Sequence, residues 1–135
     1  MNNIVDTISN LTAAMVKMEE SAKEQFNLSN LTFTQMNYLE CISRLGNPNI
    51  TELAIYLKLS KPTVKVAIDK LIERDYVYKV LSDEDRRSSH LHLTEKGELI
   101  NQMHDYAHKS IAESFAEKLS GNEMNTLIEL LNKVI

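Results

Sequence analysis

Apolar residues recur through the first stretch of the chain at intervals of four, three, four, three and four: Ile4, Ile8, Leu11, Met15, Met18 and Ala22. This spacing sets them on one stripe of a helix, roughly Asn3 to Phe26, with Asp6, Asn10, Lys17 and Glu24 on the wet side. A stripe of that length is awkward for one small domain to bury alone, so it predicts a partner helix, such as one from a second subunit. Thr32 with Gln35 reads as a capping box ahead of Met36, Leu39 and Ile42, and Leu45-Gly46-Asn47-Pro48 breaks that helix. Asn49 with Glu52 is a second capping box, opening a short helix through Leu53, Ala54 and Leu57. Ser60 caps the next helix, with Pro62 in its first turn and Val64, Ile68 and Leu71 as its buried stripe.

After Arg74 the period changes to two. Tyr76 to Leu81 and His90 to Leu93 read as short strands around the polar run Ser82 to Ser89, which predicts a β-hairpin. Thr94 then caps a long helix through Leu99, Ile100, Met103, Ala107, Ile111 and Phe115. Ser120 with Glu123 is a third capping box, and Met124, Leu127, Ile128 and Leu131 line the last helix. The chain has 135 residues with only 3 Gly and 2 Pro, which favours long helices over a sandwich or barrel. No apolar run is long enough to span a bilayer. The lone Cys41 has no partner within the chain, which fits a reducing, cytoplasmic setting and no membrane association.

Charge sharpens this picture. The net charge is −4, yet Lys58 to Lys96 holds nine Lys/Arg against seven acids, leaving six bases and twelve acids elsewhere. No acid falls between Glu52 and Asp69, where Lys58, Lys61 and Lys65 stand. A basic window in an acidic chain is a footprint for nucleic acid. A short helix, the turn Lys58-Leu59-Ser60 and a second helix form a helix-turn-helix, whose second helix enters the major groove. The candidate DNA-contacting set is Ser60, Lys61, Pro62, Thr63, Lys65, Val66 and Lys70 on that helix. Asp85, Arg86 and Arg87 join it at the hairpin tip. Lys donates to guanine or phosphate, and Thr63 can hydrogen-bond or touch a thymine methyl. A tip carrying Arg86 and Arg87 suits a narrow minor groove, with Asp83 and Asp85 placed to orient the arginines. Any two amphipathic helices share the helix-turn-helix pattern; the hairpin that follows at once is what favours DNA.

Asp85-Arg86-Arg87-Ser88-Ser89-His90-Leu91-His92-Leu93-Thr94-Glu95-Lys96-Gly97 resembles the wing signature of the multiple-antibiotic-resistance regulator (MarR) family at every fixed position. Ser60-Lys61-Pro62-Thr63-Val64 and the Leu71–Val77 junction match less specifically. The resemblance implies a mainly α, winged helix-turn-helix fold with a two-stranded β wing. It implies a single domain, 1–135, with 1–30 and 98–135 as dimerisation helices and 32–97 as the DNA-binding lobe. The expected function is that of a homodimeric repressor reading a palindromic operator in double-stranded DNA. The resemblance also implies that Arg87 enters the minor groove and that Asp85 steadies it. Two positions depart from the family habit: Lys58 and Asp75 stand where glycine is common, and Lys tolerates left-handed backbone less well than Asp.

Family repressors commonly answer to a small molecule, for which Met15, Met18, Phe26, Phe33, Met36 and Met103 are candidate lining, although the same residues serve as ordinary core. His104 and His108 lie one helical turn apart, a spacing that suits one metal ion, with Glu19 as a third candidate ligand. They look like positions used by zinc-sensing members. Asn37 stands where those members have a further histidine, which favours the reading without a metal. The run His90 to Lys109 more closely resembles members that repress fatty-acid synthesis and answer to acylated carrier protein, so an acyl-carrier-protein effector is a second possibility. Cys41, beside Ile42 and without an adjacent base, reads as a buried structural thiol rather than a redox sensor. No phosphate loop, catalytic Ser/His/Asp context or HExxH is present, so neither an enzyme nor a cofactor is expected. The rivals are a metal- or redox-sensing repressor of the same fold and a winged helix that binds protein rather than DNA.

Overall fold

The computed structural model describes residues 3–81 and 89–135. Its elements in chain order are α1 (Ile4–Gln25), α2 (Phe33–Leu45), α3 (Ile50–Leu57), α4 (Lys61–Glu73), β1 (Val77–Leu81), β2 (Ser89–Leu93), α5 (Glu95–Lys118) and α6 (Gly121–Val134). The predicted hairpin tip, with Asp83, Asp85, Arg86 and Arg87, lies outside the described residues.

The chain divides into two compact units, Phe26–Gln102 and the pair of segments Met1–Gln25 with Met103–Ile135. The central unit is closed over a core that includes Leu28, Leu39, Ile42, Leu53, Val64, Ile68, Leu71, Tyr76 and Leu91, all at most 2% exposed. The three predicted capping boxes are formed: Thr32–Gln35 starts α2, Asn49–Glu52 starts α3 and Ser120–Glu123 starts α6. Gly46, with φ +68°, closes α2 in left-handed geometry. The turn after α3 is reversed by Lys58 at φ +58°, and the link into β1 by Asp75 at φ +67°. Both are the positions where the sequence departs from glycine, so the backbone demand is kept while the permissive residue is not.

β1 and β2 pair antiparallel, Val77 opposite Leu93 and Leu81 opposite Ser89. The hairpin is tied to the lobe at two points. The Leu91 N–H donates to the Pro48 carbonyl at 2.8 Å, and His90 Nδ1 lies 3.0 Å from the Asn47 carbonyl oxygen. Thr94 joins β2 to α5: its hydroxyl donates to the Asp75 carbonyl (2.6 Å) and accepts from the Gly97 N–H (3.0 Å). A Cβ on Gly97 would collide with the Tyr76 carbonyl oxygen, so this close approach of helix to strand admits glycine alone.

The terminal unit is built differently. In α1 the predicted stripe is largely bare: Ile4 is 71% exposed and Ile8 55%, and Ala22 is the helix's buried residue. None of the α6 side chains is buried, and Ile128, Leu130, Leu131 and Val134 are exposed. The predicted need for a partner helix is therefore unmet within the described residues at the start of the stripe, where Ile4 and Ile8 stand in solvent.

Candidate nucleic-acid interface

The interface candidate begins with how α4 is held. Ser60, in extended geometry, accepts from the Thr63 N–H and donates to the Thr63 hydroxyl at 2.8 Å, so the first turn of α4 is fixed by its own side chains. Val64, Ile68 and Leu71 are fully buried. At about 3.6 residues per turn, burying that side turns Pro62, Val66, Asp69 and Glu73 outermost, with Lys65 on one flank and Thr63 and Lys70 on the other. Val66 is 57% exposed, an apolar side chain kept in water on the same outer line as Pro62. All seven helix residues singled out from sequence (Ser60, Lys61, Pro62, Thr63, Lys65, Val66 and Lys70) are exposed, with Ser60 and Lys61 at the helix start rather than on the outer line. The remaining candidates, Asp85, Arg86 and Arg87, fall outside the described residues.

Two features were missed in the sequence. Lys65 pairs with Asp69 at 3.2 Å, and Lys79 of β1 approaches the other oxygen of the same carboxylate at 3.8 Å. The pairing across 10 residues, from helix to strand, has no local signature. Two of the nine bases counted toward the footprint, moreover, are spent on structure. Arg74 donates to Gln35 Oε1 and to the Asn30 carbonyl, both at 3.1 Å, and lies over the Tyr76 ring. Lys96 donates to the Arg74 carbonyl at 3.1 Å and sits 4.4 Å from the Tyr76 ring centroid. The wing strands also carry an aromatic stack, Tyr78 on His92 with centroids 5.2 Å apart.

The other candidates are placed as follows. In the terminal unit, Met15 and Met18 line an apolar hollow of about 350 Å³ with Leu11, Ala14, Ile111 and Phe115, rimmed by Lys17, Ser21 and Ser114. Met103 is buried, while Phe26, Phe33 and Met36 belong to the central unit. Phe33 is 82% exposed there, so of the six proposed lining residues this hollow gathers two. His104 and His108 stack with centroids 6.2 Å apart. Among the described residues no group of three His, Cys, Asp or Glu is arranged to hold a metal ion, so Glu19 does not complete the pair. Cys41 is buried at 2% exposure, its thiol 3.9 Å from Asn37 Oδ1. Burial pushes the thiol pKa up; the Arg44 guanidinium opposes this and the Glu40 carboxylate adds to it.

A helix-turn-helix whose second helix turns a polar face outward, followed by a two-stranded antiparallel hairpin, defines a winged helix-turn-helix of the DNA-binding regulator class. The MarR family's sequence model matches residues 31–89. The HTH-type transcriptional regulator YpoP of Bacillus subtilis is 30% identical over 107 residues, 77% of this chain and 74% of that protein. Streptococcus pneumoniae FabT, solved in complex with DNA, superposes with a TM-score of 0.70 at 24% identity, covering 95% of this chain and 89% of its own. A Staphylococcus aureus MepR mutant, bound to an oligodeoxyribonucleotide, superposes at 0.75 with 17% identity, covering 99% and 96%. The chain belongs to the MarR family and is a transcriptional regulator.

Proposed function

We propose that this regulator is a cytoplasmic repressor that binds a palindromic duplex operator as a homodimer. Each copy lays α4 along a major groove, with Lys61, Thr63 and Val66 toward base edges and Lys65 and Lys70 toward the backbone. The hairpin tip follows the adjacent minor groove through Arg86 and Arg87, with Asp85 orienting Arg87. The observation that carries this reading is the exposed part of α4: a helix anchored by three fully buried residues leaves Lys61, Thr63, Lys65, Val66 and Lys70 in solvent, with the acids Asp69 and Glu73 confined to its second half. That valine offers a surface for a thymine methyl, and the lysines suit guanine and phosphate. The bare apolar stripe of α1 and the unburied α6 support pairing of two copies. The hollow lined by Met15 and Met18 supports control by a small or acyl-chain effector.

The test uses duplexes enriched by the wild-type protein from a randomised-sequence library. Arg87→Ala is expected to weaken binding to the enriched duplex at least tenfold, by fluorescence anisotropy, while sedimentation still reports a dimer. Unchanged affinity would remove the wing from the interface. Binding should also weaken steeply with salt, because each lysine or arginine on a phosphate releases counterions. A flat salt response would favour the protein-binding rival.

A further inference from the structure

Asp69 stands out on the outer line of α4, where a carboxylate faces the surface assigned to DNA. It lies more than two turns beyond the helix start, past the N-terminal residues that meet base edges in this motif. Its two oxygens are both engaged: Oδ2 with Lys65 Nζ of the same helix at 3.2 Å, Oδ1 with Lys79 Nζ of β1 at 3.8 Å. All three side chains keep access to solvent, at 50%, 63% and 36% exposure for Asp69, Lys65 and Lys79. One carboxylate thus gathers two ammonium groups from separate elements onto one spot, leaving a net positive charge there. A backbone phosphate, like a carboxylate, accepts charge-assisted hydrogen bonds from ammonium groups.

Resting on the DNA-binding reading above, we propose that Lys65 and Lys79 form a paired contact to one backbone phosphate and that Asp69 is its positioning residue. Lys79 thereby joins the interface, linking recognition helix and wing strand at one point of the duplex. Asp69 acts in two directions. It pre-orders two long, flexible side chains for a duplex docked in register, saving part of the ordering cost on binding. It also repels duplexes held by backbone charge alone. Its removal should therefore cost selectivity rather than simply strength.

The experiment measures anisotropy titrations with a wild-type-enriched duplex and with a scrambled duplex of equal length, each across a salt series. Asp69→Asn is expected to tighten binding to the scrambled duplex severalfold, steepen its salt dependence and lower the enriched-to-scrambled affinity ratio. Lys79→Ala is expected to weaken both duplexes and reduce the salt slope by about 1, the share of one phosphate contact. In the Lys79→Ala background Asp69→Asn should keep its tightening of the scrambled duplex, which comes from lost repulsion, and lose the part of its effect on the enriched duplex that comes from ordering Lys79. A fold defect would weaken both duplexes together and would not tighten the scrambled one. An unchanged ratio in Asp69→Asn, or an unchanged salt slope in Lys79→Ala, would overturn the proposal while leaving DNA binding in place. Failure of the wild-type protein to enrich any sequence would overturn the DNA reading itself, and this inference with it.

Discussion

Single residues set the junction on which the interface depends. Gly97 is required because α5 runs directly over the Tyr76 carbonyl, and Thr94 bonds to both sides of the same corner. Gly97→Ala must push helix from strand, an overpacking cost of about 1–3 kcal/mol. Its expected result is a melting temperature lower by several degrees, and an unchanged melting curve would show that the corner yields freely. Cys41 and Tyr38 make a second residue-scale prediction. Burial raises both pKa values, with the neighbouring Cys41 adding to the rise at Tyr38. The folded chain therefore holds these protons more tightly than the unfolded chain. The stability this contributes is whole below the unfolded values, and it is lost as pH climbs from about 9 through the raised folded values. Thermal melts should fall in temperature over that alkaline range. The same burial predicts that a thiol reagent at pH 7.5 labels Cys41 slowly until denaturant is added, and rapid labelling of native protein would revive a redox role.

At the scale of elements, what was legible in the sequence was local. Capping boxes at Thr32, Asn49 and Ser120, the Pro62 helix start and the period change after Arg74 each act within four residues, so the chain displays them directly. Both strand starts differed by one residue: β1 begins at Val77 rather than Tyr76, because Tyr76 is drawn into the core beneath Arg74 and Lys96, and β2 begins at Ser89 rather than His90, because Ser89 pairs with Leu81. What the sequence hid was long-range. Arg74 reaches Gln35 and Asn30, 39 and 44 positions away, and so is structural although it was counted with the basic footprint. Lys79 meets Asp69 only because β1 folds back beside α4. The contrast is testable. Arg74→Ala removes one part-buried and one exposed hydrogen bond, at about 0.5–1.5 kcal/mol each, together with the packing over Tyr76. It should lower the chemical-denaturation midpoint while the salt slope of DNA binding stays as in the wild type. A reduced slope would move Arg74 into the interface.

For the whole molecule, the exposed stripe of α1 and the unburied α6 are the feature that a single chain leaves unexplained. Burying apolar surface contributes roughly 25 cal/mol per Å², so helices with Ile4, Ile8, Ile128 and Leu131 in water gain by pairing. Two copies joined there carry two α4 helices, which matches an operator with two equivalent half-sites. The central claim, that a dimer of this chain reads a symmetric duplex, is tested most directly by sedimentation of the protein with a labelled duplex enriched from a randomised library. The account predicts a complex of two protomers on one duplex whose enriched sequence is an inverted repeat. One protomer per duplex, or an enriched sequence without two-fold symmetry, would contradict it.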